Sequence, residues 1–184
     1  MSETKGFSSL KDVHDLIHKS VEDLSEIKLL LHTLKNSQSY CDDKVHSLDI
    51  DHIDDIVPID EGEIIAIVQV DENLNIFSNE ALDLTTKLNN LFANGLLVKH
   101  YYKVLTRLEF PSSLLGVYIR AIKYIIISVN KPENKKALEV IEMLESQIKT
   151  AEIIKNKIDD LWCKMYDQVD DIKSFLFKKE EVYL

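Results

Sequence analysis

Glycine is scarce in this chain. With only four, Gly6, Gly62, Gly95 and Gly116, neither a phosphate-cradling loop nor a dinucleotide fingerprint can be written, and nucleotide binding by those routes is excluded. Three prolines, Pro58, Pro111 and Pro132, leave few turn signals, too few for an all-β fold. Basic clusters are missing as well. Lys and Arg number 22 against 32 Asp and Glu, a net charge of -10, and the densest basic groups are the pairs Lys135-Lys136 and Lys178-Lys179. Such a surface repels a phosphate backbone, so no nucleic-acid partner is expected. The most apolar run, Leu114 to Val129, is short and interrupted by Arg120 and Lys123, so no membrane span is expected. It reads as a core helix and the most buried one. The two cysteines, Cys41 and Cys163, can form at most one bridge, and the N-terminus has no signal-peptide pattern. Packed thiols in a cytoplasmic or nuclear protein are the expectation.

What is present is helical periodicity. The chain is 45% hydrophobic and 29% charged, which fits a folded helical protein. Stepping by three and four from Ala137 meets Ile141, Leu144, Ile148, Ala151, Lys155, Ile158, Trp162, Met165, Val169, Ile172 and Leu176. Only Lys155 breaks this seam. No Gly or Pro lies inside it, and at 1.5 Å per residue the helix would be roughly 65 Å long. A second seam opens the chain after Ser9, an N-cap candidate with Asp12 as its capping-box partner. It runs Leu10, Val13, Ile17, Ser20, Leu24, Ile27, Leu31, Leu34, Gln38, Cys41, Val45 and Leu48, with charge on the intervening positions. Helicity should weaken around Asn36 to Tyr40, where Asn, Ser and Gln cluster.

Between the seams, 49–63 is dense in carboxylates and reads as an acidic hinge, with Pro58 and Gly62 as breakers. The stretch 64–77 is predicted to be the start of a helix running toward Phe92, on the spacing of Ile64, Ile67, Leu74, Ala81, Leu88 and Phe92; a β-hairpin is the alternative. Asn94-Gly95 should cap that helix. A short helix then spans 96–108, Phe110-Pro111 stops it, and Ser112 or Ser113 caps a helix through Ser128. Asn130 and Pro132 form the last hinge, with Glu133 starting the final helix. The expected fold is therefore all-α and elongated, one structural unit with heptad helices at 9–48 and 133–178 and a hydrophobic helical middle at 64–130.

Candidate chemistry is thin. His14 and His18 have the spacing of a two-histidine metal face but no His-Glu pair beside it, and solvated histidines are the simpler reading. The acidic hinge fails as a calcium loop, since Asp54 stands where the loop needs Gly and Asp60 where it needs Glu. Tyr101 and Tyr102 with Lys99, His100, Lys103 and Arg107 form the one aromatic-basic group able to take a phosphate or a peptide carboxylate, against ordinary snorkelling around tyrosines. Lys155 either fixes register and partner number or snorkels. No catalytic, cofactor-binding or metal-binding residue is assigned, and the protein reads as non-enzymatic.

The expected partner interface is the two seams: Leu10, Val13, Ile17, Leu24, Ile27, Leu31 and Leu34 in the first, Ile141, Leu144, Ile148, Ile158, Trp162, Met165, Val169 and Ile172 in the second. Two such stripes carry much apolar surface for a chain of this length, and strict heptads mark supercoiled partners. The expected function is a structural or adaptor subunit of a multiprotein assembly, paired with heptad helices of other proteins or with itself. The alternative is a self-contained helical bundle holding a small apolar ligand or an amphipathic peptide over the Leu114 to Val129 floor. Leu48-Asp49, then Ile53-Asp54 and Ile56, followed by Pro58 and a long helical region, resembles the segment after the first coiled coil in the p24 subunits of dynactin. That short resemblance implies a cytoskeletal or motor-associated complex and carries over no functional residues.

Overall fold

The heptad-spaced apolar residues close into helices. The computed structural model describes residues 7–48, 59–130 and 133–180. Among the described residues there are five helices and no strand: α1 (Leu10–His46), α2 (Ile59–Ala93), α3 (Leu97–Thr106), α4 (Glu109–Val129) and α5 (Lys135–Glu180). The fold is all-α, as the sequence predicts, and 64–77 is helix rather than hairpin.

Side-chain bonds set the topology. Lys28 bonds Asn75 and Lys35 bonds Asp71, so α2 runs antiparallel to α1. Lys157 with Glu26, and Gln147 with Ser37, set α5 antiparallel to α1. Tyr101 reaching Met165 and Tyr118 reaching Gln147 do the same for α5 against α3 and α4. Since α3 and α4 follow each other along one side, the molecule is an up-down-up-down bundle of four rods in ring order α1, α2, α3 with α4, α5.

One hydrophobic core runs through all five helices. On α1 the buried residues are the predicted seam, including Ser20, whose hydroxyl donates to the Leu16 carbonyl at 2.9 Å, and Gln38. On α5 the stripe is wider than the seam. Val140, Gln147, Ile154, Leu161 and Phe175 are buried beside Ala137, Leu144, Ala151, Ile158, Met165 and Ile172, while Ile141, Lys155, Trp162 and Leu176 are half-buried at the edge. A narrow seam serves one neighbour; this broader stripe serves two, α1 and α4. Each fully buried Leu or Ile side chain contributes about 1.5–3 kcal/mol.

The Ser9 cap forms with Asp12 as expected, while several other boundaries differ. The Asp12 carboxylate accepts the backbone N–H groups of Ser8 and Ser9 and the Ser8 hydroxyl, and those bonds hold its pKa below the ordinary value. The weak point predicted at Asn36 to Tyr40 is absent; α1 runs through it. Residues 49–58 of the acidic hinge lie outside the described residues, and its remainder belongs to α2, which Gly62 does not interrupt. At the end of α2, Gly95 takes φ +65 while Leu96 N–H reaches Leu91 C=O and Gly95 N–H reaches Phe92 C=O, a glycine cap of the Schellman type. Pro111 starts a helix rather than stopping one. It sits in the first turn of α4, where its missing N–H has no intrahelical acceptor to lose, and the break falls at Arg107-Leu108. Glu133 precedes α5, and the Asn134 side chain accepts the Ala137 N–H in the N-cap role.

Candidate docking surface

α4 should have been the most buried helix, and it is buried on one face only. Leu115, Tyr118, Ile119, Ile122, Ile125 and Val129 point into the core. The opposite face carries Phe110, Val117 and Tyr124, spaced by seven, and Ile127; they are 51%, 49%, 57% and 74% exposed. Leu114 and Ala121 are half-buried beside them. From Phe110 to Ile127 this ridge is about 26 Å long at 1.5 Å per residue. A helix apolar on all sides is ordinarily enclosed on all sides.

Cations are concentrated in this part of the chain. Between Leu97 and Val129 the chain holds Lys99, Lys103, Arg107, Arg120 and Lys123 against one acid, Glu109. Arg107 is committed: Nε and Nη2 each donate to Glu80 at 2.9 Å, and those bonds hold the Glu80 carboxyl below the usual range against the opposing effect of its burial. Lys103 is 3.9 Å from Glu80 and Lys123 is 3.6 Å from Glu152, both loose and exposed. Lys99 and Arg120 are exposed and pair with no acid among the described residues. Behind the ridge, Ser112 donates to Asp159, which also takes Lys155 Nζ at 2.6 Å. Lys155 is thus neither buried in the seam nor free: with Asp159 it clamps α5 to α4 beside Gly116.

The structure turns the predicted interface inward. Val13, Ile17, Leu24, Ile27, Leu31, Leu34, Leu144, Ile148, Ile158, Met165, Val169 and Ile172 are all buried, and Leu10, Ile141 and Trp162 are half-buried against the same core. The two stripes cover each other together with α2 and α4, so in this fold they are closed to an outside helix. The residues left open, Phe110, Val117, Tyr124 and Ile127, were missed. Their signal was the seven-residue interval on a helix whose apolar residues exceed one stripe.

Other candidates resolve into structure. Tyr101 enters the core and donates to the Met165 carbonyl at 2.8 Å, burial raising its pKa, which splits the aromatic-basic group. Tyr102 stays at the surface, edge-on to Tyr166 at 6.3 Å, and Trp162 stacks on Tyr166 at 4.8 Å. His14 and His18 lie ring to ring at 4.4 Å, and no three potential metal ligands gather among the described residues. A cleft of about 290 Å³ lies between α1 and α5 rather than over the apolar floor of α4. Six charged side chains, Glu22, Asp23, Glu26, Lys157, Asp160 and Lys164, line it with Ile27 and Leu161, a poor match for an apolar ligand.

The cysteines are far apart in character. Cys41 is 3% exposed, and burial, helped by the Asp42 charge, pushes its thiol up to about 11, whereas Cys163 is exposed. A thiol reagent such as dithionitrobenzoate should therefore label one cysteine rapidly in the folded protein, Cys163, and the second only on unfolding. Rapid labelling of both under native conditions would contradict the burial of Cys41.

No protein-family model matches this chain, and no curated protein matches it in sequence.

Proposed function

We propose that the protein is a non-enzymatic adaptor subunit, a closed four-rod bundle that holds a partner protein on the outer face of α4. The observation that carries this reading is the ridge of Phe110, Val117, Tyr124 and Ile127, exposed on a helix whose other face is fully packed. Water-exposed apolar contact of this length is costly unless a partner covers it. The heptad seams supply the rigid rod and the ridge supplies the contact, so pairing with other helices occurs outside the bundle rather than along its seams. A cytoskeletal or motor-associated assembly is the setting that the Leu48 to Pro58 resemblance favours.

The test is a photo-cross-linking amino acid placed at Val117, with the same residue at Ile153, exposed on α5, as control. In the cells that make the protein, the Val117 site should trap one discrete partner and the Ile153 site none. Val117→Glu should abolish that adduct from a cross-linker at Tyr124 while leaving the thermal midpoint within a degree or two, since neither side chain of that exposed pair packs in the core. Identical adduct ladders at both sites would defeat the docking reading.

A further inference from the structure

We infer that the occupant of the α4 face is an acidic amphipathic helix of another protein; this rests on the docking reading above. Its helical form follows from the ridge. Phe110, Val117 and Tyr124 repeat at seven residues, with half-buried Leu114 and Ala121 between them, the spacing that one straight helix presents to another. Extended or irregular chain has no matching repeat.

Its charge follows from the border. In a chain of net charge -10, the α3 and α4 segment carries five cations and one acid. Lys99 and Arg120 pair with no acid among the described residues, and Lys103 and Lys123 hold theirs only at 3.9 and 3.6 Å. Charges farther away than the Debye length, about 8 Å at physiological salt, are screened. Counting Glu80 and Glu152, the partners of Arg107 and Lys123, with Glu109, the cations of this segment still outnumber the acids next to them, and an acidic helix is drawn to this face.

Two other occupants fit less well. A second copy laid on the same face sets these cations against themselves, with only Glu80, Glu109 and Glu152 of each copy to offset five cations apiece. An anionic bilayer is flat, and one laid on α4 also meets the neighbouring α2, whose single lysine, Lys87, is tied to Asp83 while Glu72 is exposed and pairs with no base among the described residues. A helix about 10 Å across can rest on α4 alone.

The probes are two synthetic four-heptad helices with identical leucine seams, one flanked by Glu and one by Lys, titrated into the full chain by fluorescence anisotropy. The Glu peptide should bind at least about tenfold more tightly than the Lys peptide, and more weakly as salt rises. Arg120→Glu with Lys123→Glu should invert that preference. Equal binding, or preference for the Lys peptide in the unaltered chain, overturns the inference. So does a dimer in sedimentation that Val117→Glu dissociates, or binding to phosphatidylserine vesicles that the double charge reversal removes. If neither peptide binds while the Val117 cross-linker still traps a discrete partner, the acidic-helix inference fails and the adaptor reading stands. If the peptides and the cross-linker both fail, the adaptor reading fails with it.

Discussion

Ile158→Ala should lower the stability of the chain by about 2–5 kcal/mol, with an unfolding midpoint that does not move when the protein is diluted. Ile158 is 0% exposed in α5, on the stripe that packs between α1 and α4. Truncating it removes transfer energy and leaves a cavity, because the neighbouring residues, Ile154 and Leu161, are themselves fixed in a packed core. The dilution arm separates two origins of that burial. If the α5 stripe were covered by another chain, folding would be linked to association and the midpoint would climb with protein concentration. Here the cover is α1 and α4 of the same chain, so urea titrations at widely different concentrations should superimpose. A concentration-dependent midpoint would refute the closed bundle.

Ser37→Pro should cost about 3 kcal/mol or more, although the local sequence invites it. Asn36 to Tyr40 is poor in helix formers, and a proline there would be harmless if the chain were already broken. In the structure α1 is continuous through this stretch, and Ser37 lies in its interior, its hydroxyl donating to the Leu34 carbonyl at 3.0 Å and accepting from Gln147 Nε2 at 3.3 Å. Gln147 in turn takes the Tyr118 hydroxyl at 2.7 Å, so one polar thread joins α1, α5 and α4 inside the core. Ser37→Ala is the control: it cuts the thread but keeps the backbone, at about 1 kcal/mol. A proline variant as stable as the alanine one would show that α1 is interrupted after all.

Periodicity made the helices legible, because burial alone dictates which residues of α1 line up from Val13 to Val45. Gly95 was legible for a different reason: the turn needs a positive φ that other residues resist. What periodicity does not encode is how many neighbours a stripe has. On α5, reading Ile141, Ile148, Lys155 and Trp162 as the seam overlooked Val140, Ile154 and Leu161 one position earlier, and the two sets together are the footprint of a bundle rather than a two-stranded coil. The exposed α4 face was hidden by the same gap. Phe110, Val117 and Tyr124 repeat at seven residues just as Leu115 and Ile122 do, so the interval marks a stripe without saying which stripe stays open; only the placement of α2 and α5 leaves one set open. Pro111 misled because a rule about the residue before proline carries little force in the first turn of a helix.

The antiparallel order gives the bundle a mechanical polarity. Because α5 runs against α1, the start of the first helix and the end of the last emerge at the same end of the rod. Tension applied through those two ends peels α5 from α1 one layer at a time, so the force is borne by few contacts at any moment. Tension transmitted between the α4 face and the far end of α5 acts along the helices instead. It must slide whole stripes past one another at once, against the Ser112, Asp159 and Lys155 clamp and the Tyr118 to Ser37 thread. A load entering through the side of this molecule therefore meets a stiff strut, and the same load entering through its ends meets a zipper.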